Sequence, residues 1–352
     1  MRKWLIILAV EIALVLSGLL WISCGAGDEG DDDFHDWGDD ADDLQDFLDA
    51  IPDPESLRLT LPASDSKGLD ELAWLYEETV DFTRNVNGNV LMVLSWIDEI
   101  TSYPPSAHED DTYTWGPWRG SGLSMIELKF EMTRVSGQHF TYTLYGRPKD
   151  SDDPWTKLWW GEVEASVETQ RRGIGTFTID FDALHGIDPT EDYAGSVIVD
   201  YDTVTDGREI DVTYVEFVGE GNPNAEPISG TYEYHDHADH HGEFLFDALI
   251  DIHYEEHHGD QYGEREHLYF NTRWQGNGAG RSDVVATGGD LPDIEIGGSP
   301  VERYLISECW GDDFLRDYFC TIAITEDDSE YTVEEEGDPG SCVFSEDMPD
   351  TA

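Results

Sequence analysis

The chain has 352 residues and carries 78 acidic side chains against 19 lysines and arginines, a formal net charge of −59 at pH 7. A surface of this charge repels nucleic acid and anionic lipid headgroups, so the composition argues against nucleic acid as a partner. Self-repulsion of this size destabilises a compact fold at low salt and is screened at high salt, which indicates a halophilic, saline habitat.

The amino end has the plan of a bacterial lipoprotein signal peptide. A basic head, Met1–Lys3, precedes an apolar run from Trp4 to Ile22 that only Glu11 interrupts. A serine and then Cys24 end the run, which is where such signals are cleaved and the thiol receives its lipid. We therefore expect residues 1–23 to be removed and Cys24 to carry palmitate and further acyl chains. A transmembrane anchor and an ordinary cleaved signal are the alternatives.

A triacylated cysteine predicts where the protein resides. Each buried methylene contributes roughly 0.8 kcal/mol, and several acyl chains hold a protein in a membrane far more firmly than one. Gly25 follows Cys24, at the position where the enteric sorting rule places Asp in inner-membrane lipoproteins. We therefore predict a lipid anchor in the bacterial outer membrane, with the protein on its periplasmic or cell-surface face and the membrane as its partner.

The segment after the cysteine, residues 24–55, is predicted to be an acidic flexible tether. Between Asp28 and Glu55, 14 of 28 positions are acidic, and like charges extend a chain. Scattered apolar side chains leave room for one short docking helix as the alternative: Phe34, Trp37, Leu44, Phe47 and Leu48.

Residues 56–105 are predicted to be a helical segment. From Lys67 to Tyr103, apolar residues recur every three or four positions and form one buried stripe. Pro104 ends the pattern. The stretch "NVNGN" is a poor helix interior, so we expect a kink or break near Gly88.

The remaining residues, 106–352, are predicted to form a curved antiparallel β domain with a disulfide near its carboxyl end. From Thr112 onward, apolar and polar side chains alternate, and Gly, Asp or Pro punctuates the gaps. The pattern indicates about ten or eleven strands, at 124–134, 138–147, 155–164, 175–182, 194–203, 209–217, 228–234, 243–252, 264–274, 280–287 and 301–310.

The spacing of these strands predicts the fold class. Short gaps favour an antiparallel meander, and a sheet this long must curl or close to cover its apolar face. We therefore expect a mainly β (α+β) fold. It would be a strongly curved antiparallel meander or half-barrel of about ten strands, packed on one long N-terminal helix.

Eight of the twelve histidines lie between His235 and His267. Histidine and carboxylate side chains together usually bind Zn²⁺, and carboxylates suit Ca²⁺. Zinc or calcium is therefore a candidate ion, and the alternative is that the protein has no cofactor. The two clusters flank one strand and lie roughly 30 Å apart, which predicts two weak surface sites or an acidic loop with incidental histidines. The candidate ligands are His235, His237, His240, His241, His253, His257 and His258.

One histidine pair matches a catalytic motif. His253 to His257 fits H-x-x-E-H, the inverted zinc-protease signature, with Glu256 as the general base. That chemistry needs a helix, whereas the preceding residues alternate like a strand and Gly259 follows directly. A zinc hydrolase is therefore the least favoured alternative. We expect the protein not to be an enzyme.

Three cysteines follow Cys24, and an exported chain meets an oxidising space in which one disulfide forms. A pair between Cys309 and Cys342 would join the last strand to the tail. A pair between Cys309 and Cys320 is the alternative. An unpaired thiol would act as a small buried apolar group.

Four segments resemble a known family: "ECWGDDFLRDYF", "GDPGSCVF", "TRNVNGNVLMVL" and "TWGPWRG". They are similar to uncharacterised secreted lipoproteins of myxobacteria and other deltaproteobacteria, over most of residues 69–344. The resemblance implies export, a β-rich fold and a Cys309–Cys342 disulfide. It implies no activity, and Cys320 departs from the family's pattern.

Two functions follow from this architecture. The first is a non-enzymatic outer-membrane lipoprotein that binds a lipid, another apolar ligand or a partner in its curved sheet. The second is a structural or adhesion lipoprotein with a filled core, whose acidic face is bridged by cations. Inward aromatic side chains either fill the core or line a cavity, and the candidates are Trp115, Trp118, Trp155, Trp159 and Trp160.

Overall fold

The computed structural model describes residues 41–62, 72–119, 126–189, 193–205, 207–218, 227–250 and 264–349. Its main element is one antiparallel sheet of sixteen strands. The strands are β1 Ala107–Glu109, β2 Thr112–Arg119, β3 Ile126–Ser136, β4 His139–Pro148, β5 Thr156–Ala165, β6 Gly173–Asp180, β7 Ala194–Asp202, β8 Arg208–Val218, β9 Ile228–Asp236, β10 Gly242–Ile250, β11 Glu266–Trp274, β12 Gly280–Gly288, β13 Glu295–Ile296, β14 Ser299–Trp310, β15 Arg316–Thr325 and β16 Glu330–Gly337.

The sheet is an open meander. Strands β1 to β12 are neighbours in chain order, followed by β14, β15 and β16, while β13 pairs only with β14. The predicted mainly β, antiparallel class is confirmed, but the sheet has sixteen strands instead of about ten. Among the strands that escape prediction, β1 and β13 have only three and two residues, β15 is buried on both faces, and β16 is exposed on both. Strand β2 is interrupted by Gly116–Pro117 and an irregular register.

In the described ranges, three α-helices accompany the sheet: α1 Ala41–Ala50, α2 Trp74–Thr101 and α3 Phe181–Ile187. Helix α1 lies inside residues 24–55, so the prediction of a flexible tether is wrong from Ala41 onward. The physical reason is Phe47, which is fully buried and packs edge-on against Tyr113 and Phe140, with ring centroids 4.8 and 5.0 Å away. The docking-helix alternative describes this part of the chain.

Helix α2 has 28 residues and starts at Trp74, and residues 63–71 lie outside the described ranges. It continues through "NVNGN", so of the predicted kink or break near Gly88, the break is wrong. A buried contact offsets the poor helix propensity there. The Asn87 side chain accepts a hydrogen bond from the Leu59 N–H at 2.6 Å and donates one to the Leu59 carbonyl at 2.8 Å.

One hydrophobic core covers the inner face of the sheet. On the early strands, Trp115, Phe130 and Trp159 form a chain of ring contacts at 5.6 and 6.1 Å. On the later strands, Phe82 of α2 packs among three rings, those of Phe244, Phe246 and Phe270. Trp115 and Trp159 are buried within this core.

The carboxyl-terminal tail covers the outer face of the last strands. Cys309 of β14 is bonded to Cys342, which confirms that pairing, and Cys320 is buried and forms no disulfide. Beyond the disulfide, the Asp347 N–H donates to the buried carboxylate of Asp283 on β12 at 3.1 Å. Strand β12 is therefore buried on both faces over most of its length, and β14 over its last five residues, 306–310.

Candidate metal centre on the outer face

Three ligand-type side chains meet on strands β8 and β9. Glu209 and Asp211 lie two residues apart on β8 and so share a face, and the sheet register pairs Glu209 directly with His235 of β9. The intervening Ile210 and Tyr234 point into the core. The strand alternation therefore directs both carboxylates and the imidazole to the outer, solvent side of the sheet.

The spacing of the three side chains suits a metal ion. His235 Nε2 lies 3.4 Å from Glu209 Oε1 and 3.8 Å from Asp211 Oδ1. All three ligand atoms lie within 4.8 Å of one another. Two donors on one tetrahedral zinc, each bonded at about 2.0–2.2 Å, are roughly 3.3–3.6 Å apart. Glu209 and His235 already have this separation, and the ligand atom of Asp211 lies within 4.8 Å of both.

The surroundings of the cluster are acidic. Asp200, Asp211 and Glu233 lie opposite one another on β7, β8 and β9. Like charges facing each other across strands destabilise a sheet. Burial raises the pKa of Glu233, and the negative charge of Asp211 raises it further. A cation bound here would therefore relieve repulsion that the sheet otherwise carries.

The imidazole responds to the same carboxylates. Its interaction with Asp211 raises the pKa of His235, burial opposes this, and the charge of Glu209 adds to the increase. A protonated imidazole cannot bind a metal, so protons and a metal ion compete for His235. A metal ion at this site would therefore be held more tightly as pH rises.

The other predicted histidines have different places. His237 and His241 stack at the β9–β10 turn with ring centroids 4.1 Å apart. His240 is exposed in the same turn. Of the described histidines, His235 alone joins two carboxylates in a ligand geometry. The predictions for Cys24, His253, Glu256, His257 and His258 concern residues outside the described ranges.

The sequence alone does not single out Glu209 and Asp211, because acidic residues alternate with other residues at many places along the chain. The sequence signal is "REIDV", in which two acids flank one buried isoleucine at strand spacing. It becomes specific only when the β8–β9 register places a histidine opposite Glu209. The set of one imidazole and two carboxylates suits Zn²⁺, whereas Ca²⁺ prefers oxygen ligands alone.

No helix within the described part of the chain combines the length and apolar character that a membrane crossing needs. Comparison of the sequence with protein-family models and with curated proteins, and of the structure with solved structures, finds no match.

Proposed function

We propose that the protein is a non-enzymatic lipoprotein, anchored by an acylated Cys24 in the bacterial outer membrane, that binds Zn²⁺ on the outer face of its sheet. The Glu209–Asp211–His235 cluster is the observation that carries the binding function. The basic, apolar and cysteine-bearing start of the sequence supports the anchor.

The ion would serve a structural or adhesive role. Three protein ligands leave one position of a tetrahedral zinc for a further donor. A carboxylate or phosphate oxygen of a neighbouring surface fits this position, so the ion would bridge two negatively charged surfaces that otherwise repel each other. The cluster is accessible for such a bridge because each of its three side chains is at least one-third exposed.

We further propose that the open sheet is strongly curved, a half-barrel around α1 and α2. Phe47 of α1 packs on β2 and β4, near one edge of the sheet. Trp74 of α2 packs on Phe319 of β15, near the other edge. A sheet that keeps residues from both ends in one core must bend over the helices, and a filled interior supports a structural role.

An apolar ligand on the inner face would have to displace buried rings such as those of Trp115 and Trp159. We therefore assign the binding function to the outer face. A lipid that co-purifies with the protein at constant stoichiometry would reverse this assignment.

Native mass spectrometry of the full chain, isolated from membranes, tests the anchor and the ion together. We expect the mass of a chain starting at Cys24 with three acyl groups and one zinc ion. His235→Ala should lose the zinc and keep the acyl groups. An unmodified amino end would refute the anchor, and zinc retained in the His235→Ala variant would refute the site.

A bridging assay tests the adhesive role. Vesicles carrying the full chain should aggregate when Zn²⁺ is added and disperse when it is chelated. Vesicles carrying His235→Ala should stay dispersed, and equal aggregation of both preparations would contradict zinc bridging through this site.

A further inference from the structure

The sheet has two ends, and helix α1 docks at one of them. We define the tether end by three turns, each taken with the strand residues beside it: 135–138, where the end of β3 leads into β4, 166–172 between β5 and β6, and the described residues of 203–207 between β7 and β8. Arg171, in the second turn, donates its N–H to the Asp49 carbonyl at 2.9 Å. Asp43 of α1 pairs with Arg134 beside the first turn, at 2.8 Å. The described chain therefore begins at the tether end.

The same turns expose aliphatic side chains. Val135 is 55% exposed, Val167 80% and Val204 47%, one from each turn, and Ile174 beside them is 49% exposed. They are four of the nine large apolar side chains that are exposed in the described ranges. The other five are dispersed over the remainder of the molecule. We call these four side chains the aliphatic rim.

Hydrogen bonds hold the three turns together. Ala165 donates its N–H to the Gln138 carbonyl at 2.9 Å, which joins the first turn to the second. The Thr203 N–H donates to the Gly173 carbonyl at 3.1 Å, and the Thr203 hydroxyl accepts the Gly173 N–H at 3.0 Å, which joins the second turn to the third. The rim is therefore one supported surface and not three independent loops.

The tether end also differs in charge from the rest of the protein. The segments 134–138, 166–172 and 203–208 contain four arginines and two acids, in a chain with 78 acids and 19 lysines and arginines. Asp43 and Asp46 of α1 neutralise Arg134. Other acids lie beside the remaining arginines: Asp98 contacts Arg171, and Asp236 contacts Arg208 at 2.9 Å. Glu164 and Asp202 also pair with Ile174 across the strands. The arginines therefore offset part of the acidity of this end, which lowers the electrostatic cost of approaching a lipid surface.

The position of Cys24 links this end to a bilayer. Cys24 precedes Ala41 by 17 residues. Seventeen residues span at most about 60 Å even when fully extended. An anchor at Cys24 would therefore hold the tether end within about 60 Å of the membrane, and the rest of the described chain follows this end in the sequence.

We propose that the aliphatic rim of Val135, Val167, Ile174 and Val204 rests on the outer-membrane bilayer and inserts its side chains among the lipid headgroups and upper acyl chains. This inference rests on the proposed function, because acylation of Cys24 brings the rim to the membrane. The strands then stand upright on the bilayer, and the opposite turns point away from it.

Depth-dependent quenching in vesicles tests this orientation. Full-chain, acylated Val167→Cys and Val204→Cys variants are labelled with an environment-sensitive fluorophore and reconstituted into phosphatidylcholine vesicles that contain a nitroxide-labelled lipid. Leu249→Cys is the matched control, because Leu249 is also 47% exposed and lies near the carboxyl end of β10, at the end of the sheet opposite the tether end. The unsubstituted protein measures any labelling of the buried Cys320.

We expect the nitroxide lipid to quench the labels at positions 167 and 204 several-fold more strongly than the label at 249. Equal quenching at all three positions, with the protein floating with the vesicles, would overturn the rim proposal and leave the anchor intact. Failure of the full chain to float with the vesicles would overturn the anchor, and the rim proposal with it.

Discussion

Glu308 of β14 caps the amino end of helix α2 by accepting a hydrogen bond from the Leu75 N–H at 2.5 Å. The carboxylate is fully buried, and its other oxygen accepts a hydrogen bond from Arg316 Nε. The first N–H groups of a helix have no partner inside the helix, and the residue at the cap position, Ala73, has no side chain that can accept them. A residue 233 positions away thus provides the cap and fixes the helix on the sheet.

Replacing this carboxylate should destabilise the protein strongly. Glu308→Ala leaves Arg316 without its buried partner and the helix end without its acceptor. We expect a loss of about 3–5 kcal/mol in the free energy of unfolding, measured by urea denaturation. Glu55→Ala removes an exposed ion pair with Arg58 and should leave the midpoint nearly unchanged. Equal effects of the two variants would contradict a capping role for Glu308.

Glu78 of α2 should make stability depend on pH. Burial raises the pKa of Glu78 to about 7 from 4.5, a hydrogen bond from Trp74 opposes this, and the charges of Asp81 and Glu77 add to it. Between these two values the folded protein binds a proton that the unfolded chain has released. Stability should therefore fall as pH rises from 4.5 to 7, by about 3 kcal/mol, and stay lower above pH 7.

Urea denaturation at a series of pH values measures this dependence. Glu78→Gln should remove the contribution between pH 4.5 and 7, because glutamine does not titrate. Glu99→Gln, at an exposed position of the same helix, is the control and should follow the unsubstituted protein. If the free energy of unfolding changes with pH in the same way for all three proteins, Glu78 is ionised in the folded state.

The Cys309–Cys342 disulfide should hold the tail over the outer face. It closes a loop of 33 residues, so Cys309→Ser with Cys342→Ser should lower the free energy of unfolding by about 3–4 kcal/mol. Hydrogen exchange should increase at Asp347, whose N–H is bonded to Asp283. Cys320→Ala leaves the disulfide in place and should leave the exchange at Asp347 unchanged. Unchanged hydrogen exchange at Asp347 in the double variant would mean that the other contacts of the tail hold it on the outer face without the disulfide.

Zinc affinity should depend on the three outer-face ligands and on pH. His235→Ala, Glu209→Gln and Asp211→Asn should each weaken zinc binding in calorimetric titrations. His139→Ala should not, because His139 contacts a single carboxylate, that of Glu162, at 3.2 Å. Because Asp211 raises the pKa of His235, zinc binding should weaken as pH falls through a value above 6.5. Unchanged affinity in the His235→Ala variant would exclude this site.

The predicted β domain follows from a local rule. Side chains of a strand alternate between two faces, so a strand with one wet face shows its period directly, as β8 and β10 do. Where the tail or the position at the sheet edge gives both faces of a strand the same burial, the alternation disappears. Strands β15 and β16 therefore escape prediction. The burial that determines a strand's pattern is thus itself a tertiary property.

The sequence by itself determined the acidity, the antiparallel β class and which residues face inward on the regular strands. Only the tertiary structure decided the docking of α1 through Phe47, the capping of α2 by Glu308 and the meeting of Glu209, Asp211 and His235. Alternation and charge are properties of neighbouring residues along the chain. The meeting of β8 with β9 depends on register, and one residue of slip would turn His235 into the core.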